Sequence, residues 1–318
     1  MSIVEILESA RHTPLSKEEI VTLLNIDNYS EDFFRLLSEA NACSRKEYHG
    51  KGYVFLQIGL DCTPCSGNCK FCSFGSTHYA LPQCYEKTEA EILDTVQQGV
   101  AQGVDAIFLM TSAEYDPDRF LDIAGKVKAL LPPHVLFVAN TGDFDLHMAQ
   151  RLKEVGFTGV YHIVRLNEGI DTDIAADTRI ATLDAIQAAG LDLIYCVEPI
   201  GPEHTYDQIA EEILRARAYN VDIMACMRRV AVEGTPLFEK GEISDAELTK
   251  IVAVTRIAAN PKTSMNVHEP NAMAMLAGVN QLYAEVGGNP RDRSSETQTG
   301  RGYSVEKARN MLKEYGYQ

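Results

Sequence analysis

Three cysteines in one short stretch carry the strongest chemical signal in the sequence. Cys65, Cys69 and Cys72 are spaced C-x3-C-x2-C within Cys-Ser-Gly-Asn-Cys-Lys-Phe-Cys. Three thiolates on a tight loop at this spacing can hold three irons of a 4Fe-4S cluster and leave the fourth iron open. The spacing therefore predicts that the chemistry of this chain starts at an open iron on this loop.

Two simpler interpretations fit the spacing less well. With Cys62 the run becomes C-x2-C-x3-C-x2-C, but structural zinc sites usually separate their two cysteine pairs by a longer finger. A bacterial ferredoxin orders its gaps as C-x2-C-x2-C-x3-C and continues with proline, whereas Ser73 follows Cys72 here. Structural zinc and a plain electron-transfer cluster are therefore the less favoured alternatives.

The cysteine loop resembles that of the radical S-adenosylmethionine (radical SAM) superfamily, because the aromatic residue Phe71 directly precedes the third cysteine. The resemblance implies that the open iron binds the amino and carboxylate groups of S-adenosylmethionine (SAM). It also implies reductive cleavage of SAM to a 5'-deoxyadenosyl radical, with electrons from a reducing partner such as ferredoxin or flavodoxin. The expected cofactors are thus SAM and one 4Fe-4S cluster held by Cys65, Cys69 and Cys72.

Composition favours a small-molecule enzyme. The chain has 29 basic and 45 acidic side chains and a formal net charge of -16, which opposes nucleic-acid binding because phosphate contacts need clustered Lys and Arg. No apolar run is long enough to span a membrane. The acidic, amphipathic amino terminus lacks the pattern of a signal peptide, so we expect a cytoplasmic protein. Eight cysteines in such a chain fit metal ligation and reduced thiols in an anaerobic setting.

Strand-like and helix-like patterns alternate along the chain and predict an α/β fold, a (β/α)8 TIM barrel. Residues 1–50 precede the first strand as helices, one of which opens at Ser16 with Glu19 in a capping box. We expect them to form an N-terminal helical extension packed on a barrel of residues 51–318. The strand-like runs begin near Tyr53, Val104, Val135, Gly159, Leu191, Val221, Thr263 and Gly278.

The loops at the carboxyl ends of barrel strands carry the chemistry in this fold, and the cysteine loop follows the first strand. After the second strand comes Glu114, whose segment resembles the superfamily motif that binds the SAM ammonium. The alternative is that Glu114 caps the helix beginning near Asp116. After the third strand, the segment 140–143 could line the pocket or form an Asx turn.

The fourth strand, expected to end at Val164–Glu168, sharpens the resemblance to the branch that contains biotin synthase, the iron-iron hydrogenase maturase and methylornithine synthase. The resemblance implies that Arg165 and Asn167, expected on one strand face, contact the SAM carboxylate or ribose hydroxyls. It implies that Arg179 binds the SAM carboxylate, which a guanidinium fork matches well. For either arginine, a surface ion pair with a nearby aspartate is the alternative.

Departures from biotin synthase bear on the reaction. That enzyme holds a second, sulfur-donating cluster with further cysteines and an arginine, whereas no cysteine follows strands two and three here, and 266–269 replaces the arginine-bearing stretch. We therefore expect a single cluster. His268 and Glu269 are the candidates for substrate binding or proton transfer. The remaining cysteines, including Cys196 and Cys226 on adjacent strands, are interpreted mostly as buried small hydrophobes.

The sequence thus predicts a radical SAM enzyme that acts on a small amino-acid-like or anionic substrate in cofactor or amino-acid biosynthesis. Glu198 and Pro199 replace glycines of biotin synthase, so contacts at the end of strand five should differ. The segment from Asn289 to Arg301 is predicted to be a mobile loop that closes over the barrel mouth or is inert. The alternatives are a sulfur-inserting enzyme like biotin synthase or lipoyl synthase, with a second cluster, and a non-catalytic iron-sulfur carrier.

Overall fold

Eight parallel strands form a closed barrel in the computed structural model, which describes residues 1–318. Each strand pairs in parallel with the next, and the eighth closes on the first. All eight begin within three residues of the positions expected from the sequence, which confirms the (β/α)8 TIM barrel. The strands are β1 (Tyr53–Gly59), β2 (Ala106–Met110), β3 (Leu136–Asn140), β4 (Gly159–Tyr161), β5 (Asp192–Ile200), β6 (Ile223–Arg228), β7 (Ser264–His268) and β8 (Gln281–Gly287).

Three helices precede the barrel: α1 (Ile3–Ala10), α2 (Lys17–Leu24) and α3 (Glu31–Glu47). Ser16 and Glu19 form the expected capping box at the start of α2, which satisfies two of the free backbone N–H groups of the first turn. No helix in the chain has the length and apolar character needed to cross a membrane.

The helices that follow the strands begin at polar capping residues, except the one after β4, whose N-cap is Ala175. Thr88 and Glu91 form a capping box at α4, and Asp116 caps α5 immediately before Pro117, because a side-chain oxygen there accepts from an otherwise unpaired N–H group. These helices are α4 (Glu89–Ala101), α5 (Pro117–Lys128), α6 (Leu146–Val155), α7 (Ala176–Ala189), α8 (Tyr206–Ala218), α9 (Asp245–Ala259), α10 (Ala272–Met275) and α11 (Val305–Glu314).

The amino-terminal helices pack on the outer helices of the barrel, α3 against α9 and α2 against α8 and α9. Arg256 of α9 is almost fully buried at this contact. Its guanidinium donates to Ser44 Oγ at 2.8 Å and pairs with Glu47. A buried guanidinium is tolerated only with such partners, so this contact fixes how α3 sits on the barrel.

An aromatic layer fills the barrel interior. Phe55 of β1, Phe108 of β2 and Tyr283 of β8 are buried, and their ring centroids lie 5.1 to 6.0 Å apart. The next inward-facing residues toward the carboxyl ends, Gln57 and Met110, already line an open cavity. The aromatic layer is therefore the floor of a cavity at the carboxyl end of the barrel, as expected for this fold.

The fourth strand is shorter than the sequence predicted. It ends at Tyr161, and the chain then keeps only separate hydrogen bonds to β5, such as Leu166 N to Glu198 O at 2.9 Å. At Asn167 the backbone has φ 59°, a left-handed conformation that asparagine tolerates better than most residues and that ends an extended segment. The expectation that Arg165 and Asn167 alternate on one strand face is therefore wrong.

Glycines allow β1 and β8 to approach closely at the barrel mouth. A Cβ atom on Gly59 would lie 1.8 Å from the carbonyl oxygen of Gly288. Because that neighbour is backbone, a side chain at this position cannot be accommodated without moving the strand.

We predict that Gly59→Ala lowers the free energy of unfolding by about 3 kcal/mol or more, because the strand must shift. The control is Gly125→Ala, where an added Cβ meets nothing within 4 Å on an exposed face of α5. That change should raise stability by roughly 0.5 to 1 kcal/mol. Urea unfolding monitored by circular dichroism measures both; equal stability of the two variants would contradict the prediction.

Candidate functional site

The cavity at the carboxyl end of the barrel, called the main cavity below, has a volume of about 150 Å³ and is open to solvent. Every strand, or the loop that follows it, contributes lining residues, from Gln57 on β1 to Arg291 after β8. All three cysteines of the C-x3-C-x2-C loop line it.

The cysteine loop is compact and its thiols are free. Cys65 N donates to Phe74 O at 2.7 Å, Cys72 N donates to Cys69 O at 2.8 Å, and Phe74 N donates to Cys72 Sγ at 3.3 Å. Burial raises the pKa of the Cys65 and Cys69 thiols, so a bound metal has to displace their protons. Three free thiols from one loop on one cavity fit an iron-sulfur cluster with an open iron.

Backbone hydrogen bonds hold this loop against three other loops of the barrel mouth. Lys70 N donates to Asp171 O at 2.8 Å, in the loop after β4. Leu237 N, in the loop after β6, donates to Lys70 O at 3.0 Å, and Ser73 N donates to Pro290 O, after β8, at 2.9 Å. The position of the cysteines therefore depends on the whole rim of the barrel.

Glu114 is exposed and supports the cysteine loop. Its Oε1 accepts a hydrogen bond from Ser66 N at 2.6 Å. The helix cap that was its alternative is supplied by Asp116 instead. The side chain thus lies beside the cysteines, and contact with the SAM ammonium stays a prediction.

Arg165 presents unpaired donors to the main cavity. Its Nε and Nη1 atoms are buried without a hydrogen-bond partner, and the nearest carboxylate oxygens, on Glu198 and Glu168, are 3.7 and 3.8 Å away. Its guanidinium carbon lies 6.0 Å from the ring centre of Phe71 in the cysteine loop. Unpaired buried donors are costly, so this guanidinium is suited to receive a carboxylate ligand.

Arg179 is buried near the start of α7 and also lines the main cavity. Its Nη1 lies 3.1 Å from Asp143 Oδ2, and its Nε lies 3.3 Å from Glu168 Oε2. A surface ion pair is therefore the wrong alternative, because the side chain points inward to the turn after β3. Burial and the neighbouring charge of Arg165 lower the pKa of Arg179.

Asn167 does not line the main cavity. Its Nδ2 donates to Asp171 Oδ2 at 3.0 Å, and its Oδ1 accepts from Gln208 Nε2 at 2.8 Å. The residue ties the loop after β4 to α8, because both ends of its amide are engaged. The structure therefore separates it from Arg165, with which it was expected to converge.

His268 lines the main cavity, whereas Glu269 does not. The His268 ring stacks on Tyr283 with centroids 4.6 Å apart, and its Nε2 has no hydrogen-bond partner. Burial, together with the charge of Arg291, lowers the pKa of His268 to about 3, so the imidazole is neutral at pH 7. Glu269 accepts from Arg291 Nη1 at 2.6 Å and Arg301 Nη1 at 2.8 Å.

The segment expected to be mobile is tied to the barrel mouth. Arg291 is buried, lines the main cavity and pairs with Glu285 of β8 and with Glu269. Arg291 was not among the site residues predicted from the sequence. Glu285 could have pointed to it, because a carboxylate within a buried strand requires a cation as its partner.

Glu198 and Tyr161 are the other lining residues whose role was missed. Tyr161 OH donates to Glu198 Oε2 at 2.6 Å, and both side chains are buried. The sequence showed that Glu198 replaces a glycine. It did not show that Tyr161, on the neighbouring strand β4, contacts Glu198.

The charged groups around the main cavity do not balance. Seven carboxylates and four guanidinium groups line it or form ion pairs with one another at its wall, a net charge of minus three when all are ionised. The carboxylates are Asp61, Asp143, Glu168, Glu198, Glu269, Glu285 and Asp292, and the guanidinium groups are Arg165, Arg179, Arg291 and Arg301. Nearby arginines lower the pKa of Glu285 to about 2, despite its burial.

Cys196 and Cys226 do not converge, although their strands are adjacent. Cys196 pairs with Ala225 across the sheet, so Cys226 lies on the opposite face. There its Sγ lies 3.3 Å from Thr255 Oγ1 of α9. Both thiols are buried, as is Cys62, whereas Cys43 is half-buried and Cys84 is exposed; for Cys84 the expectation of burial is wrong.

A second group of possible metal ligands lies outside the main cavity. One ligand atom each from Asp171, Glu203 and His204 falls within 4.8 Å of the others. However, His204 Nδ1 accepts from Gly201 N at 2.9 Å, so the neutral ring carries its proton on Nε2, the nitrogen a metal would need. Arg229 already pairs with Glu203, and the group is better explained as an ion-pair network.

Comparison with known families and proteins agrees with this geometry. The Radical SAM superfamily profile matches residues 63–236, and the profile of the Biotin and Thiamin Synthesis associated domain matches residues 223–318. Biotin synthase from Chlamydia abortus is 23% identical over 277 residues, covering 80% of this chain and 82% of the relative. Biotin synthase from Aquifex aeolicus is 25% identical over 280 residues, covering 83% and 82%.

Solved structures share the fold. Methylornithine synthase (PylB) superimposes with a TM-score of 0.84 at 18% identity, covering 100% of this chain and 97% of that chain. The FeFe-hydrogenase maturase HydG from Carboxydothermus hydrogenoformans gives a TM-score of 0.80 at 17% identity, covering 99% and 78%. At these identities the likeness concerns the fold.

We predict that His268 contributes to acid sensitivity. Its folded-state pKa of about 3 lies below the unfolded value of about 6.5, so the unfolded state binds the proton first, and stability falls as pH drops below about 6.5. Between pH 7 and 5 the loss from this residue is about 2 kcal/mol. His268→Gln should lose that much less stability over the interval in urea unfolding, whereas the exposed His134→Gln should behave like the wild type. Identical pH dependence of all three proteins would contradict the assignment.

Proposed function

The chain belongs to the radical SAM superfamily, and we propose that it is an enzyme that uses one 4Fe-4S cluster, held by Cys65, Cys69 and Cys72, to act on a small molecule in the main cavity. When bound, the cluster and SAM supply reductive cleavage of SAM to a 5'-deoxyadenosyl radical. One observation carries the proposal: the three free thiols and the unpaired donors of Arg165 line the same cavity. Thiols at this spacing are suited to hold the cluster, and the unpaired guanidinium donors are suited to bind a carboxylate.

Arg165 is the proposed partner of the SAM carboxylate. Glu168 positions it, because Glu168 Oε2 accepts from Arg165 N at 2.9 Å and from Arg179 Nε at 3.3 Å. Arg179 therefore acts on Arg165 through Glu168, and the two arginines are not equivalent. Glu114, which accepts from Ser66 N in the cysteine loop, is the proposed partner of the SAM ammonium.

The rest of the cavity wall orients the substrate and excludes water, which are the protein's main contributions in a cofactor enzyme. The aromatic floor closes the barrel from below. The segment carrying Arg291 covers part of the mouth and is held by ion pairs with Glu269 and Glu285. A small electron-transfer protein such as ferredoxin or flavodoxin is the proposed reductant.

The placement of the remaining cysteines favours a single cluster over the sulfur-inserting alternative. Cys196 and Cys226 lie on opposite faces of the sheet, so they cannot hold one cluster together. The cavity with unpaired donors beside the cysteine loop also favours an enzyme over an iron-sulfur carrier, which needs no substrate site.

The cluster assignment predicts the effect of each cysteine. After anaerobic reconstitution, the wild type should hold roughly four irons per chain, and Cys65→Ala, Cys69→Ala or Cys72→Ala should lose most of that iron. Cys62→Ala is the control, because its thiol packs against Phe74 and Leu81 beneath the loop. Full iron content in Cys69→Ala, or an excess of iron that Cys196→Ala removes, would contradict the single-cluster proposal.

The different environments of the two arginines predict different effects on SAM. Arg165→Ala should weaken SAM binding about tenfold to a hundredfold, because a charge-assisted carboxylate bond is worth about 1.5 to 3 kcal/mol. Arg179→Ala should weaken SAM binding less but lower stability by about 3 to 5 kcal/mol, because it leaves Asp143 and Glu168 unpaired.

Equilibrium dialysis of SAM against the reconstituted proteins and urea unfolding measure these two effects. The control is Arg119→Ala, an exposed arginine paired with Glu86 at 2.7 Å, which should alter neither. A larger loss of SAM affinity in Arg179→Ala than in Arg165→Ala would reverse the two roles.

A further inference from the structure

The net charge of minus three belongs to the wall of the main cavity as a whole, and only two of its seven carboxylates, Asp61 and Glu198, line the cavity itself. Uncompensated charge is expensive in a low-dielectric site, and the imbalance favours a cation over an anion. SAM carries one net positive charge, and a doubly positive 4Fe-4S core held by three thiolates carries one net negative charge, so the two cofactors together are neutral. The site as a whole therefore still lacks a positive charge when the cofactors of the proposed function are bound.

The missing cation can be located by following the hydrogen bonds of each carboxylate. Glu285 is saturated by Arg291 and Arg301, and Glu269, which both arginines bond only through Oε1, does not line the main cavity. Asp61 lacks a cation, but both of its oxygens are occupied by Ser112, one by the backbone N–H at 2.7 Å and one by the hydroxyl at 2.6 Å. None of these carboxylates therefore offers a free oxygen to a ligand in the main cavity.

Glu198 differs from them. Its Oε2 accepts from Tyr161 OH at 2.6 Å, and the nearest cation to its Oε1 is Arg165 Nε, at 3.7 Å, which is too long for a hydrogen bond. If Arg165 turns its donors to the SAM carboxylate, no cation remains in salt-bridge contact with Glu198. His268 cannot substitute, because it is neutral at pH 7.

The surroundings of Glu198 also suit a cation. Tyr161, which donates to Glu198, lines the cavity together with His268, and their ring centroids lie 6.4 Å apart; Met227 of the neighbouring strand β6 also lines it. Aromatic faces attract ammonium groups, while the methionine packs against an alkyl chain.

We propose that the substrate carries a protonated amine that binds Glu198 Oε1, with its alkyl carbons against Tyr161 and Met227. The inference rests on the proposed function and narrows it: of the amino-acid-like and anionic substrates expected from the sequence, it selects those with an ammonium group.

Three probes of nearly equal length that differ in charge test the inference: pentylamine, 1-pentanol and hexanoate. Each is titrated calorimetrically into the reconstituted enzyme with SAM bound and the cluster not reduced, so that no turnover is needed. Pentylamine should bind at least tenfold more tightly than either of the others, which is about 1.4 kcal/mol. Equal or tighter binding of hexanoate, or no binding of pentylamine, would overturn the inference.

Variants tie the preference to the residue. Glu198→Gln should abolish the preference for pentylamine, and Glu198→Asp should retain part of it. Glu211→Gln is the matched control, because it removes the same charge far from the cavity. Glu211 is exposed and pairs with Lys17. A preference that survives in Glu198→Gln, or that Glu211→Gln also abolishes, would contradict a local ammonium site.

Failure of this inference is distinguishable from failure of the proposed function. Formation of 5'-deoxyadenosine by the reduced wild type in the absence of any probe reports on the cluster and SAM alone. If 5'-deoxyadenosine forms but pentylamine shows no preference, the substrate assignment is wrong and the enzyme class is retained. If none forms, the proposed function itself is wrong.

Discussion

The backbone hydrogen bonds that hold the cysteine loop against the loops after β4, β6 and β8 determine the geometry of the whole site. A short loop with three free thiols has little structure of its own, so its shape comes from these contacts with its neighbours. The bond from Lys70 N to Asp171 O is the most consequential, because the loop after β4 also carries Arg165. This contact joins the loop of the proposed metal ligands to the loop that carries Arg165.

A second constraint is the burial of many charges at one end of the barrel. Glu168 Oε2 accepts from the backbone N–H of Arg165 and from Arg179 Nε, and Glu285 accepts from the guanidinium groups of both Arg291 and Arg301. Glu168 thus joins two arginine-bearing segments and Glu285 holds two guanidinium groups in place, since a buried charge is tolerated only when it is paired. The exceptions, the unpaired donors of Arg165 and the open oxygen of Glu198, are the places where ligands are expected.

The sequence predicted the repeating elements and the cysteine loop because these depend on local pattern. Eight apolar runs predicted eight buried strands, and the C-x3-C-x2-C spacing predicted three thiols on one loop. The predicted β4 was too long, because hydrophobic residues such as Val164 remain buried after the regular hydrogen-bond ladder has ended. An apolar pattern indicates that residues are buried, but it does not indicate which backbone groups they bond.

The parts of the site that escaped prediction depend on contacts between distant segments. Arg291 lies in a polar stretch typical of loops, and only the folded chain shows that it is buried and paired with Glu269 and Glu285. Asn167 and Arg165 are two residues apart, yet the left-handed turn at Asn167 sends their side chains to different places.

The central claim is that the three cysteines and Arg165 together bind a cluster and SAM for reductive cleavage. Its most direct test is anaerobic reduction of the reconstituted protein with dithionite in the presence of SAM, followed by quantification of nucleoside products by mass spectrometry. The account predicts 5'-deoxyadenosine and methionine in equal amounts, and neither product from Cys69→Ala. Intact SAM after reduction of a protein that holds its full complement of iron would contradict it.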